Sequence, residues 1–370
     1  MIDVYKSDID LTTSCLYSVI SDKHLYKLSL IHFGHCSTMK VIVAFVALVA
    51  LAAAIPLVPR DNSHYVEGES RYVWMPDGEG NPVLVDLEEP VDHAVLADPT
   101  RNGANNQYRL FTRQNPTAAQ VLVHNNVNSV HNSNYRNTRG LVVIVHGWNG
   151  NANAPVNIMV RDAFLAVADV NVIVVDWNAL ANQGYSTAAA GVPNVGQHIG
   201  NFLVWLINNA GGNFNNVHLV GFSLGAHAVG NAGRQTGGRP SRVTGLDPAG
   251  YRWHNNANRL QPNAGRYVEA IHTEGAVLGI NDPSGHADFY PNGGRRQPGC
   301  GGDINCSHGR AYQFFASSVR QNRFVGRRCV NIWEAQLATC NGAALNMGNA
   351  LINKSGTGLY SLITGSTWPF

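Results

Sequence analysis

The residues with a chemistry of their own begin at Gly221-Phe222-Ser223-Leu224-Gly225. A G-x-S-x-G pentapeptide that leaves an apolar strand and opens a helix is a nucleophile elbow, a tight turn that raises a serine above the sheet. V-H-L-V-G-F leads in and L-G-A-H-A-V-G-N-A-G leads out. In a chain with 38 glycines the pentapeptide alone says little, and these flanks give it weight. A serine hydroxyl is a poor nucleophile at its own pKa. It needs a histidine base, and the histidine needs an orienting carboxylate. On an elbow the chain order is Ser, then acid, then His. Asp247 closes the next apolar run, in G-L-D-P-A-G, where Pro248 stops the strand. The bland alternative is an inert turn aspartate. Asp176 also ends an apolar run, but it precedes the serine. Five histidines lie in such motifs. His146 ends one run, His272 lies in another, and His227, a turn past Ser223, is expected to pack locally. Spacing does not choose between His286, in G-H-A-D-F-Y-P-N-G-G, and His308, in P-G-C-G-G-D-I-N-C-S-H-G. In the second stretch Cys300 and Cys306 bracket five residues. With His308 they read as half a zinc site, a disulfide-closed hairpin or the rim of an active site.

These residues need a frame to bring them together. G-L-V-V-I-V-H-G-W (140–148), V-N-V-I-V-V-D-W (170–177) and V-H-L-V-G-F-S (217–223) are continuous apolar runs rich in Val and Ile. Such runs suit strands buried on both faces, as in a parallel sheet. R-V-T-G-L-D-P-A-G (242–250) and Y-V-E-A-I-H-T-E-G (267–275) add two more. Between them, Val195, Ile199, Phe202, Leu203 and Leu206 recur at helical spacing over 192–209. The alternation predicts an α/β fold with an open, mostly parallel sheet, and reactive groups at the carboxyl ends of its strands. Residues 108–113 and 119–123 resemble short strands. Residues 55–105 read as an irregular arm, and the Asn-rich 125–137 as a surface loop. There is no internal repeat.

The 370 residues, 45% hydrophobic, suffice for one large core. A formal charge of +2 with no basic run gives no ground for nucleic acid, and the pairs at 295–296 and 327–328 read as solvated surface. Met39-Lys40 followed by the apolar 41–54 reads as a secretory signal peptide, too short for a membrane span. The expectation is that 39–54 is removed and that 1–38 is an unstructured upstream extension. Cys15 and Cys36 then leave with it. Cys300, Cys306, Cys329 and Cys340 remain, an even number that suggests two disulfides in a secreted, extracellular chain. Asn353-Lys354-Ser355 is a glycosylation sequon; Asn305-Cys306-Ser307 is a poorer one.

G-F-S-L-G-A-H, G-L-D-P-A-G, A-I-H-T-E-G, G-H-A-D-F-Y-P-N-G-G and the C-S-H after a cysteine pair follow one another as in the pancreatic lipase family, which the chain resembles over about 105–345. Phe222 before the serine resembles the family's insect members. The resemblance implies an α/β-hydrolase fold with Ser223 as nucleophile, Asp247 as orienting acid and His308 as base, and leaves His286 structural. It implies an oxyanion hole from the N–H groups of Leu224 and Trp148. The first of these also follows physically, because the residue after the nucleophile opens a helix and its N–H is free. It pairs Cys300 with Cys306 around a lid and Cys329 with Cys340; zinc is disfavoured because the compartment is oxidising and no fourth ligand stands at a suitable spacing.

Three departures from the family bear on substrate. The lid is only G-G-D-I-N, and V-L-G-I-N-D-P-S (277–284) is also short. Short loops leave room for polar headgroups, as in phospholipases A1 and galactolipases. The loop that binds calcium elsewhere reads N-N-A-N-R-L-Q-P-N-A-G (255–265), without a carboxylate, so no calcium, other metal or cofactor is expected. A single domain over 55–370 is expected, without the family's C-terminal β-sandwich. The expected protein is a monomeric lipid esterase at a membrane, micelle or droplet surface, phospholipase A1-like before triacylglycerol- or galactolipid-cleaving. The contrasting readings are a yolk-protein-like carrier, against which the intact triad argues, and an esterase for small soluble esters.

Overall fold

A computed structural model describes residues 19–22, 25–28, 62–66 and 68–370. The segment expected to be a signal peptide lies outside them. The chain divides into two units, 1–59 and 60–370. In the first, β1 (Val19–Asp22) and β2 (Leu25–Leu28) form an antiparallel pair, where the sequence promised no regular structure.

The second unit is built on an eleven-stranded sheet. Its strands are β5 (Gln107–Phe111), β6 (Gln120–Leu122), β7 (Leu141–Val145), β8 (Asn171–Asp176), β9 (Val217–Phe222), β10 (Arg242–Leu246), β11 (Tyr267–Ile271), β12 (Ala287–Pro291), β13 (Val325–Cys329), β14 (Ala344–Asn346) and β15 (Gly358–Leu362). The order is β14-β13-β15-β12-β11-β10-β9-β7-β8-β5-β6. The seven strands from β15 to β8 are parallel, and antiparallel strands close both edges. This is the open α/β sheet expected. The uninterrupted apolar runs follow from burial on both faces. Along β7, Val143 and Val145 join one core layer while Val142 and Ile144 join the other.

Four long helices cover the faces: α1 (Pro155–Val167), α2 (Tyr185–Ala210), α3 (Leu224–Gln235) and α4 (Ile304–Gln321). α2 and α3 lie on one face, α1 and α4 on the other. A short α5 (Ile332–Leu337) follows β13. Among the described residues no helix is long and apolar enough to cross a membrane.

Two segments are more ordered than their composition suggested. Within the arm 55–105, β3 (Tyr72–Pro76) and β4 (Pro82–Asp86) form a hairpin. Its buried Val73, Met75 and Val85 alternate with outer residues and join the core. Within the Asn-rich 125–137, Val127–His131 is helical, anchored by buried Val130. In both, a few well-spaced apolar residues outweighed the polar majority.

Candidate active site

Ser223 sits between β9 and α3 with φ 55° and ψ −122°. A non-glycine residue at positive φ costs about 1–3 kcal/mol and needs support from its surroundings. Here the Ser223 N–H donates to Leu246 O at 3.0 Å, and its carbonyl accepts from Ala226 N–H at 3.0 Å and Ala249 N–H at 3.3 Å. The flanking glycines make this turn possible. A Cβ on Gly225 would stand 2.5 Å from His146 O, and one on Gly221 would overlap Gly225 O. On the other side a Cβ on Gly147 would come within 2.9 Å of Ser223 Cβ.

Asp247 leaves β10, fully buried, and its N–H donates to Ile271 O at 2.8 Å. Its Oδ1 accepts from Thr273 N–H at 2.7 Å and Glu274 N–H at 3.0 Å, and its Oδ2 is 3.1 Å from the same Glu274 nitrogen. His308 Nδ1 donates to Asp247 Oδ2 at 2.6 Å. That bond leaves Nε2 as the nitrogen available to a reactant. Ser223 and His308 line one pocket, walled by Trp148, Tyr185, Leu278 and Tyr312. The Phe222 ring packs against the His308 ring with centroids 4.5 Å apart.

His308 is on a helix. Asp303 caps α4 by accepting Asn305 N–H at 2.8 Å, so α4 starts inside the short segment closed by Cys300–Cys306 and carries Cys306 and His308 together. The cystines Cys300–Cys306 and Cys329–Cys340 are both formed, as the resemblance implied.

The other histidines are held elsewhere. His286 accepts Val268 N–H at 3.0 Å near the amino-terminal end of β11, remote from the carboxyl-end turns of Ser223 and Asp247. His227 bridges Ala249 O and Leu260 N–H and stacks on Trp253; burial pushes its pKa down to about 3, so it is a neutral strut. His146 accepts Trp177 N–H at 3.2 Å and stands 3.5 Å from Asp176. Burial pushes the Asp176 carboxyl up, and His146 together with the Asn178 and Ala152 N–H groups outweighs it, leaving it below the usual range. That pair orders the turn carrying Trp148. His272 and Asp288 form a second buried pair at 2.9 Å. Burial pushes His272 down, but Asp288 more than compensates and leaves it raised.

Trp148 follows β7. Its indole donates to Gln183 O at 2.9 Å, and its main-chain N–H has no main-chain acceptor among the described residues. The Leu224 N–H lies in the first turn of α3 and has no intrahelical partner. Both residues flank Ser223 in the fold.

Sequence reasoning passed over Glu274. Its carboxyl is buried, Oε2 accepts Val277 N–H at 3.1 Å and Leu278 N–H at 2.7 Å, and Oε1 has no partner. Burial, then the nearby charge of Asp247, push its pKa up to about 8. The motif A-I-H-T-E-G contained this acid, but a local pattern does not reveal that its side chain folds under. The hairpin turn Met75–Gly78 also lines the pocket, from a segment with no motif at all.

The family model described as Lipase matches residues 87–357. Lipoprotein lipase of Bos taurus is 36% identical over 229 residues, covering 54% of this chain and 48% of the relative. Pancreatic triacylglycerol lipase of Homo sapiens is 34% identical over 256 residues, covering 61% and 54%. Among solved structures, an acetyl xylan esterase from Aspergillus awamori aligns with a TM-score of 0.30 and 13% identity, over 50% of this chain and 73% of that one. The fold assignment rests on the sheet topology itself. The chain spans about half the length of the curated relatives it matches. With the family model covering most of its length and two curated lipases more than 30% identical to it, the chain belongs to the pancreatic lipase family.

Proposed function

We propose that this protein is a secreted serine carboxylic-ester hydrolase acting on lipids, with Ser223 as nucleophile, His308 as base and Asp247 as orienting acid. The observation that carries the reading is the 2.6 Å Nδ1–Oδ2 bond of a histidine that shares a pocket wall with an elbow serine. Ser223 Oγ attacks the ester carbonyl carbon, and its proton passes to His308 Nε2. Asp247 stabilises the imidazolium that forms. The N–H groups of Leu224 and Trp148 receive the developing oxyanion, where each donor is worth about a hundredfold in rate or more. The protonated Nε2 then gives its proton to the departing alcohol, completing the acyl-enzyme. Water, deprotonated by the same nitrogen, releases the fatty acid. The two disulfides fit an oxidising, extracellular setting.

Within lipid esters, a phospholipase A1-like specificity is favoured. The cystine-closed lid has five residues between its cysteines, and Leu278 on the other short loop is a pocket wall. Such a rim leaves polar headgroups uncovered. The name of one relative, pancreatic triacylglycerol lipase, favours triacylglycerol instead, and that is the second reading. The test is to express the chain from Met39 in a secretory host, with Ser223→Ala as control. Fatty-acid release from phosphatidylcholine is then compared with release from a long-chain triglyceride. Release mainly from the sn-1 position of the phospholipid supports the first reading, and preference for triglyceride supports the second. A folded protein that cleaves neither overturns both.

A further inference from the structure

Large apolar side chains that stay exposed are not spread evenly over the described residues. Val330, Trp333, Leu337 and Ile363 are 87%, 70%, 73% and 72% exposed. Three of the four are spaced i, i+3, i+7 around α5. Asn331 caps this helix by accepting Glu334 N–H, and Glu334 in turn accepts Val330 N–H. Ala335 is buried in the small core with Tyr290 and Cys329, and so turns Trp333 and Leu337 outward. The Cys329–Cys340 cystine ties off the segment. Presenting a tryptophan and a leucine to water from a capped, cystine-bound turn is costly unless something covers them.

Charge says what covers them. Residues 292–370 contain eight Lys or Arg and two Asp or Glu, a net of +6, of which the Lys354 charge is buried against Glu269. The whole chain is only +2, so residues 1–291 are net −4. Arg295, Arg296 and Arg327 are exposed. Arg327 shares a face of β13 with Cys329, the face on which α5 packs. Arg295 and Arg296 follow Gly293, which lies so close to α5 that a Cβ there would overlap Gln336 O.

The patch is joined to the candidate active site. Ile363 precedes Thr364, whose hydroxyl accepts from Asn292 Nδ2 at 2.8 Å. The same nitrogen donates to Gln297 Oε1 at 2.8 Å, Gln297 Nε2 donates to Thr273 O at 2.9 Å, and Thr273 N–H holds Asp247. Ile363 therefore stands at the carboxyl-end edge of the sheet, the edge on which the pocket opens.

We propose that α5 and the end of β15, with Arg295, Arg296 and Arg327, dock the protein on an anionic phospholipid surface. Trp333, Leu337 and Ile363 enter the interfacial layer, and the arginines hold anionic headgroups. The proposal rests on the lipid-esterase reading and names the surface on which that site would work.

The test uses the full secreted chain and sedimentation with vesicles of phosphatidylcholine, alone or mixed with phosphatidylglycerol. The wild-type protein should bind the mixed vesicles more tightly, and added salt should weaken that preference. Trp333→Ser with Leu337→Ser should cut partition at least tenfold, since two large apolar side chains lose their burial. Arg295→Gln with Arg296→Gln should narrow the difference between the two vesicle types about fivefold per arginine. Hydrolysis of a soluble short-chain ester, and the melting temperature, should stay unchanged in both variants, because neither pair touches the pocket or the core. Unaltered vesicle partition of the Trp333/Leu337 variant would overturn the proposal. So would a wild-type dimer that this variant converts to monomer without any vesicle binding, which would make the patch a contact between copies. Vesicle binding that follows the pattern above, in a protein that cleaves no lipid, would sink the esterase reading and leave the docking surface standing.

Discussion

The main-chain N–H of Glu274 reaches both oxygens of Asp247, at 3.0 and 3.1 Å, while the Glu274 carboxyl turns under and closes the loop that carries Leu278. One residue thus braces the acid of the proposed triad and the pocket wall beside it. Its side chain tolerates burial because it is protonated, with a pKa raised to about 8 by burial and by Asp247.

That protonation carries a sign for stability. The unfolded carboxyl ionises near its ordinary value of 4.5, while the folded one keeps its proton up to about pH 8. Between these values the folded state binds more protons, so its stability falls as pH rises, with a slope approaching about 1.4 kcal/mol per pH unit. Glu274→Gln keeps an acceptor for the Val277 and Leu278 N–H groups and cannot ionise. Urea unfolding of both proteins across this range should show the variant gaining on the wild type toward pH 8. Parallel curves would contradict a protonated Glu274.

Asp247→Asn should lower the turnover of any ester about ten-thousandfold. The asparagine oxygen can still accept the Thr273 and Glu274 N–H groups at the Oδ1 place, but an NH2 at the Oδ2 place cannot accept His308 Nδ1–H. A loss of less than tenfold, in steady-state kinetics on a soluble ester, would remove Asp247 from the proposed triad.

Gly147→Ala should separate activity from stability. The added methyl meets Ser223 Cβ at 2.9 Å, Phe222 O at 3.2 Å and Ser223 Oγ at 3.4 Å, all atoms of the elbow, so it displaces the proposed nucleophile first. Gly225→Ala pushes instead into main-chain oxygens of β7 and its exit, and should prevent folding. The first variant is expected to melt within a few degrees of wild type with turnover reduced tenfold or more. Equal turnover would mean that the Gly147 turn does not constrain Ser223.

Glu269→Gln should be among the most destabilising single changes. Glu269 is buried between Arg242 and Lys354, and Arg242 also donates to the Asn349 and Leu351 carbonyls. Removing the carboxylate leaves a buried guanidinium without its counter-charge, which costs about 3–5 kcal/mol. Denaturant midpoints measure this directly. A shift of under 1 kcal/mol would mean that the main-chain carbonyls alone satisfy Arg242.

Seven strands of the sheet, β5 to β11, and the order of the turns that follow them were legible in the sequence, while β12 to β15 were not. Parallel strands buried on both faces favour apolar runs; β7 is apolar throughout, and β8 and β9 are interrupted only by Asn171, Asp176 and His218. Ser223 and Asp247 were legible because each stands where such a run breaks into a turn, a strictly local signal. His308 was a different case. It and His286 both lay in plausible motifs, the resemblance favoured His308, and only the fold put one of them on Asp247 and the other at the far end of β11. A histidine on a helix 61 residues from its partner leaves no periodic trace. Glu274 was invisible for the same reason, since its role depends on which way the side chain turns once the loop closes. The β3–β4 hairpin, read as irregular, was decided by packing: Val73, Met75 and Val85 gain their burial only against a core formed elsewhere in the chain. Local chemistry is written in the order of residues. Convergence of distant residues on one pocket is a property of the three-dimensional packing alone.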